Sequence, residues 1–422
     1  MPTKLIITKN TNDIIIDMKT IVEINNNNYG STGNIMLNIA KQASIDGFKV
    51  YISCRKSIAN SKNKYNNQIY IGTWIDRIIS ERLSLITGLN GYFNIINTWL
   101  FLNKLNSIKP DIIHIHSLCD NYINVSMLFK YIKKNNIKTV WTLHDNWAFT
   151  GRCAQFRCEN WMNGCGKCPH LNYFPKTLFF DNSKHVWKKR KKLYNDLKTL
   201  TIVTPSIWLK NLVNKSLFNN HHNTVVINNG INLDIFKPTS SYFREKYNLY
   251  DKFIILGVAN FWDGDCGKGL EDFVELSKRL PNNFQIVLVG TNEISDKEIP
   301  SNIISIHRTS NQKELVEIYS AADLFVNPTI DDNFPTVNME SIACGTPILT
   351  YNTGGSAEII DNTCGNYVNQ KDIDKLEKEI IRIYKNHPYS REACLTRAKK
   401  YEMHSKFKEY SFLFKNLLNE LN

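Results

Sequence analysis

Asp331-Asp332-Asn333-Phe334-Pro335-Thr336-Val337-Asn338-Met339-Glu340-Ser341-Ile342-Ala343-Cys344-Gly345-Thr346-Pro347 is the stretch that decides the fold. It follows the apolar run Leu324-Phe325-Val326, which has the composition of a buried strand. Asn327-Pro328 ends that strand, because proline has no N–H for a central ladder. Pro335 suits the first turn of a helix and Gly345 its left-handed C-terminal cap, after which Ile348-Leu349-Thr350 opens another strand. The expected order is strand, acidic loop, short helix, strand. A helix starting near Pro335 offers the free N–H groups of Thr336 and Val337 and a positive dipole end, a setting for phosphate. Glu340 falls just over one turn further in, where its carboxylate can accept from a diol such as a ribose. Asp332 stands on the loop, facing whatever lies beyond the phosphates.

Asp332 and Glu340, with seven residues between them and Ala343-Cys344-Gly345-Thr346-Pro347 after them, resemble the acid-x7-Glu motif of the retaining family-4 glycosyltransferases. The resemblance implies an α/β protein of GT-B architecture, two Rossmann-like domains facing across a cleft, that takes a sugar from a nucleotide-sugar. It implies donor contacts from Asp332, Asn333, Phe334, Pro335, Thr336, Val337 and Glu340, with Asp332 also catalytic. Glutamate is the family's usual first acid, so the shorter aspartate is a departure. Without the resemblance, the same stretch reads as an ordinary helix start behind a solvated acidic loop.

A chain of 422 residues, 42% hydrophobic, has room for two domains with cores of their own. No apolar run approaches the ~20 residues that span a bilayer, and the first nine residues are too short for a signal peptide. A cytoplasmic protein is expected, either free or peripheral on the membrane's inner face, with cysteines as thiols or metal ligands. The net charge of +13 suits an anionic partner: nucleic acid, acidic lipid or a phosphorylated substrate.

Met18–Ile24 is the expected first strand, so residues 1–17 are an N-terminal extension or an added edge strand. The loop Asn28–Gly33 leads into a helix and a strand beyond Gly47, a βαβ unit open to a ligand. The resemblance puts Gly33 on the donor side. Residues 73–107 form greasy helices, either packed on the sheet or presented to lipid. Asp111-Ile112-Ile113-His114-Ile115-His116 is a strand whose C-terminal end borders the ligand side of such a sheet. The family has a histidine here that faces the transferred sugar; His116 matches it as a catalytic residue, and His114 is read as structural.

Cys153, Cys158, Cys165 and Cys168 are spaced C-x4-C-x6-C-x2-C. The last pair has the spacing with which a turn presents two thiolates to one tetrahedral zinc, so a structural zinc and a loop of reduced thiols are both open. The segment from Leu143 to Pro169 resembles a loop of glycosyltransferases that build bacterial capsule, colanic-acid and O-antigen polysaccharides. The run Lys184–Tyr194 is a solvated basic helix face or a patch for an anionic membrane; nothing in it matches a nucleic-acid-binding module.

Residues 18–235 are the expected acceptor-side domain and 236–403 the nucleotide-sugar domain, with a final helix at 404–422 crossing back onto the first. In the second half, Gly267-Lys268-Gly269 opens a helix, and a lysine there adds a point charge to an N–H cradle for diphosphate. The family pairs that lysine with an arginine, whose place is held by Asn260. The strand ends at Gly290 and at His307-Arg308 are expected to border the base. The resemblance implies a lipid-linked oligosaccharide acceptor, retention of configuration, and no cofactor required for catalysis. A GT-B sugar-nucleotide epimerase and a zinc-containing nucleic-acid-binding protein are the alternatives.

Overall fold

The computed structural model describes residues 18–155, 158–218, 223–262 and 267–419. The expectations for residues 1–17, for the loop at 263–266 and for the last three residues lie outside the described residues. Seven parallel strands form the first sheet: β1 Thr20–Ile24, β2 Lys49–Arg55, β3 Gln68–Ile71, β4 Ile112–Ile115, β5 Lys138–Thr142, β6 Leu200–Thr204 and β7 Asn223–Val226. Six form the second: β8 Phe253–Val258, β9 Phe284–Val289, β10 Ile303–Ile306, β11 Leu324–Asn327, β12 Ile348–Tyr351 and β13 Gly365–Val368. The orders are β3-β2-β1-β4-β5-β6-β7 and β10-β9-β8-β11-β12-β13. Both are Rossmann-like, and each reverses at its first strand, leaving a crevice at the C-terminal edge where ligands bind.

Helices cover both faces of each sheet, which is why the strands are apolar runs with little alternation. On one face of the first sheet, Val22, Ile24 and Trp141 pack with Phe101 and Phe129. On the other, Ile21, Ile112 and Val140 meet Met36 and Ile39 together with Phe407, Tyr410 and Phe414. These last three belong to the helix Met403–Asn419, so the chain's end completes the core of its beginning. The second sheet packs Phe325 and Ile348 against Met339 and Ile342, and Val326 and Leu349 against Phe273 and Leu376.

The two crossings between domains run side by side. Ile231 N–H donates to Tyr401 O at 2.8 Å, and Met403 N–H donates to Ile231 O at 3.0 Å. Gly230 is required there, since a Cβ would sit 2.6 Å from the Met403 Cα. A third tie crosses the cleft. Glu358 of the second domain accepts from the N–H groups of Ile207 and Trp208, at 2.9 and 2.7 Å, in the first turn of the helix Ile207–Lys215. A carboxylate at that end satisfies orphan donors and opposes the helix dipole.

The helix Trp74–Thr87 departs from the reading of a pair packed on the sheet. It buries Ser80 and Ser84 and turns its apolar side outward, while the following helix Ile95–Ile108 buries Phe101, Leu102 and Leu105. Trp74 and Trp99 are 66% and 56% exposed, with Ile75, Ile79, Ile95 and Ile96 around them. Among the described residues, no helix is long and apolar enough to cross a membrane.

Candidate active site

The loop after β11 and the start of the second domain's Leu270–Arg279 helix are registered by backbone bonds. Ile330 N–H donates to Gly267 O at 2.9 Å and the Thr329 hydroxyl to the same oxygen at 3.2 Å. Gly269 has φ +81°, and a Cβ there would meet Pro328 at 2.5 Å, so the backbone beside Lys268 can lie flat on the loop. Lys268 Nζ stands 2.9 Å from Asp332 Oδ2, both side chains about a quarter exposed (27% and 25%). Behind the loop, Gly355 N–H donates to Asp332 O at 3.0 Å, and a Cβ on Gly354 (φ +56°) would fall on that oxygen.

Lys268, Asp332 and Asn333 of the second domain share a cavity of about 500 Å³ with His144, Asp145 and Phe174 of the first. Asn333 closes its floor, donating through Nδ2 to His144 O at 2.9 Å. Phe334 is buried against Tyr401, and its carbonyl accepts from Asn229 Nδ2 at 3.4 Å. Pro335 is the N-cap of the helix Thr336–Ala343, and Gly345 takes the expected positive φ, +83°. Thr336 and Val337 therefore open a helix start next to the cavity-lining loop.

Glu340 does not line the cavity that Lys268 and Asp332 share. It is partly buried one turn into the helix and accepts from Tyr319 OH at 3.1 Å and from Thr336. Burial pushes its carboxyl up to about 7 against those two bonds. Asn260 lies at a second cavity, of about 820 Å³, with Gly290, His307 and Arg308 at the C-terminal ends of β8, β9 and β10. Gly33 is buried in the first helix, Gly30–Ile45; a Cβ would sit 2.9 Å from the Asn28 carbonyl carbon, so no larger residue fits under the loop.

His116 is 2% exposed, with both ring nitrogens engaged: Nε2 to Glu23 Oε2 and Nδ1 to His144 Nε2, each at 2.9 Å. The histidine on the cavity wall is His144, and His116 stands behind it. His114 is fully buried; its Nε2 meets Thr142 Oγ1 at 2.9 Å and its ring packs against Tyr410 and Phe414. The sequence alone does not place His144 and Asp145 at the cleft, and offers His144 only as a substitute zinc ligand, although their place straight after β5 is a usable signal. Burial raises the Asp145 carboxyl to about 6, and Trp147 N–H donates to it at 2.9 Å.

Cys153, Cys158, Cys165 and Cys168 come together around one small cavity beside Arg152 and Trp161. Cys153 and Cys168 hydrogen-bond one another, and Gly151 N–H donates to Cys165 Sγ at 3.1 Å. Cys165, Gly166 and Lys167 are consecutive left-handed residues at φ +48°, +109° and +48°, a turn that folds the last pair inward. The four sulfurs are less tightly converged than Glu23, His114 and His116, whose ligand atoms lie within 4.8 Å of one another. Arg190, counted in the basic run, is buried; it stacks over Trp147 at 3.6 Å and donates to Thr150 O at 2.8 Å.

Two family models match the chain, Glycosyltransferase Family 4 over residues 32–235 and Glycosyl transferases group 1 over residues 242–401. The chain belongs to the family-4 GT-B glycosyltransferases. Among the relatives of this glycosyltransferase is a putative colanic acid biosynthesis glycosyl transferase of Escherichia coli K12, WcaC, 24% identical over 66% of this chain and 68% of the relative. Another is the N,N'-diacetylbacillosaminyl-diphospho-undecaprenol alpha-1,3-N-acetylgalactosaminyltransferase of Campylobacter jejuni, 30% identical over 32% of this chain and 37% of that one. Anabaena HepE, solved in complex with UDP-glucose, shares the fold with a TM-score of 0.64 at 12% identity, covering 94% of this chain and 99% of its own.

The position of Glu340 has a measurable consequence. Its folded carboxyl titrates at about 7, against an ordinary value of 4.5, so between those values the folded state holds a proton that the unfolded chain gives up. Its contribution to stability therefore falls as pH rises through that window and is flat above it. The change in urea midpoint from about pH 5 to about pH 8 should be more favourable to the folded state in Glu340→Gln than in the parent, because the variant lacks that loss.

Proposed function

We propose that this glycosyltransferase moves a hexose from a UDP- or GDP-linked donor to a lipid-linked oligosaccharide of a bacterial surface polysaccharide, with retention of configuration. The observation that carries the reading is the Lys268–Asp332 pair, held at a cavity where the C-terminal edges of two parallel sheets meet. The diphosphate lies against Lys268 and the helix start at Thr336 and Val337, whose N–H groups and positive end favour charge building on the departing phosphate. Glu340 takes the ribose, and the cavity at the ends of β8, β9 and β10 takes the base. The sugar projects toward Asp332 and His144, with His116 acting through His144. The acceptor hydroxyl attacks on the leaving-group face, and the leaving phosphate takes its proton. The UDP-glucose held by the Anabaena protein supports a nucleotide-sugar donor, and the Campylobacter relative's name supports a lipid-diphosphate acceptor.

The exposed apolar face supports a membrane-bound acceptor. The loop carrying Phe174, Leu178, Phe179 and Phe180, all exposed, is tied to the Trp74–Thr87 helix by Leu178 N–H to Leu85 O at 2.8 Å. Lys176 lies in that loop, and Lys184, Lys188 and Lys191 are exposed on the following helix, Ser183–Asn195. Aromatic side chains with lysines around them suit the interface of an anionic bilayer, at ~1 kcal/mol per basic residue near the surface. The same region takes a structural zinc on Cys153, Cys158, Cys165 and Cys168, fixing the loop that carries both the cavity wall and the apolar side chains. The turn at Cys165–Lys167 and the N–H donated to Cys165 Sγ are of the kind that support thiolate ligands.

Transfer from UDP- and GDP-sugars to a polyprenyl-diphosphate-linked acceptor tests the chemistry. Lys268→Ala should lower kcat about 100-fold or more with the melting temperature unchanged, whereas unchanged kcat sinks the assignment. Interconversion of the sugar with no acceptor present would replace it with an epimerase. Co-sedimentation with phosphatidylglycerol vesicles should fall several-fold in Trp74→Asp/Trp99→Asp and not in a matched phosphatidylcholine control; equal binding by parent and variant rejects the membrane face. Metal analysis should find about one zinc per chain, absent in Cys165→Ser/Cys168→Ser, and no zinc or an undiminished amount in the variant rejects the metal site.

A further inference from the structure

A buried chain of side chains leads from the core of the first domain to the wall of the cavity. Glu23 is the fourth residue of β1, fully buried between Val22 and Ile24. Its Oε2 is 2.9 Å from His116 Nε2, and His116 Nδ1 is 2.9 Å from His144 Nε2. His114 Nδ1 is also 2.9 Å from that oxygen, though not in a hydrogen-bonding direction. The rings of His116 and His144 are within 9° of parallel, and Trp141 Nε1 fixes the His116 backbone by donating to its carbonyl at 2.9 Å. Only His144 of the three links lines the cavity.

We propose that Glu23 is a positioning residue that sets, through His116, which hydrogen-bonding face His144 offers to a sugar hydroxyl in the cavity. The reasoning is a count of hydrogens. Burial lowers the His116 and His144 imidazoles to about 3, so each ring is neutral and carries a single N–H. Only one hydrogen fits between His116 Nδ1 and His144 Nε2. Burial raises the Glu23 carboxyl against the lowering bond to His116, and once ionised Glu23 can only accept. It then accepts from His116 Nε2–H, so His116 Nδ1 is bare and must accept from His144 Nε2–H. His144 Nδ1 is then a lone pair, an acceptor for a hydroxyl. Without the carboxylate nothing imposes that direction, and His144 can equally turn an N–H toward the cavity. A buried carboxylate with its desolvation cost is an expensive way to fill β1, and an apolar residue would pack there as well. Its use is direction.

This inference rests on the glycosyltransferase reading for its substrate but not for its first readout. Histidine-15N NMR of the full chain at about pH 8 should show the hydrogen on Nε2 in both His116 and His144. In Glu23→Leu, and in Glu23→Gln, whose amide can turn either its oxygen or its NH2 to His116 Nε2, His144 should become a mixture of tautomers. Hydrogen on Nδ1 of either ring in the parent, or an unaltered His144 in Glu23→Leu, overturns the proposal. So does a divalent metal that survives chelator dialysis and is lost in Glu23→Leu, since the carboxylate and histidines would then be its ligands. In transfer assays Glu23→Leu should lose about 10-fold or more in kcat with donor KM little changed. Should Glu23→Leu fail to fold, His144→Phe at the cavity wall carries the test, and undiminished kcat in that variant overturns the proposal. A parent protein that transfers no sugar while its tautomers follow the prediction refutes the substrate reading and leaves the relay standing.

Discussion

The place where the chain crosses twice between its domains constrains everything else. Ile231 exchanges hydrogen bonds with Tyr401 and Met403, and Gly230 lets the strands of the crossing approach to backbone contact. With the returning helix Met403–Asn419 packed into the first domain's core, the two sheets are held with their C-terminal edges toward one another. Those edges are where parallel α/β sheets leave helix starts and loop ends free. Lys268 and Asp332 on one side of the cavity and His144 on the other follow from that arrangement. The Glu358 carboxylate on the Ile207–Lys215 helix and the Asn333 amide on His144 close the same gap with polar contacts of the kind that can open and reform.

Four carboxylates near the cleft do different work because their surroundings differ. Asp332 is partly solvated and paired with Lys268, whose positive charge offsets its own. Glu340 is more enclosed, and its only neutralising contacts are hydroxyls, so burial raises it to about 7. Asp145 follows the same physics and rises to about 6 beside a backbone N–H. Glu23 is enclosed altogether and bonded to a ring, so it speaks to the cavity only through His116. Water grades this series more than distance along the chain does.

The outward apolar face is the main departure from a self-contained fold. Serines point inward from the Trp74–Thr87 helix while tryptophan and isoleucines point outward. The segment after the cysteines joins that face to the cavity wall, since Phe174 is exposed and also lines the cavity.

The sequence by itself determined the two βα repeats, the strand–loop–helix–strand unit at Asp331–Pro347, Gly345 as its left-handed cap, and the chain's membership of its family. These rest on local signals, such as proline ending a ladder, glycine taking positive φ and apolar runs forming buried strands, and each is complete within about twenty residues. Tertiary structure alone decided that His144 and not His116 meets the cavity, that Arg190 leaves the basic run for the core, and that Glu23 sits beneath two histidines from another strand. It also decided which way the Trp74–Thr87 helix faces, since its apolar residues fit a buried or an exposed side equally well until the sheet beneath it is in place. Those outcomes depend on contacts between residues up to several hundred positions apart, such as Tyr410 beside His114, and no local pattern encodes the partner.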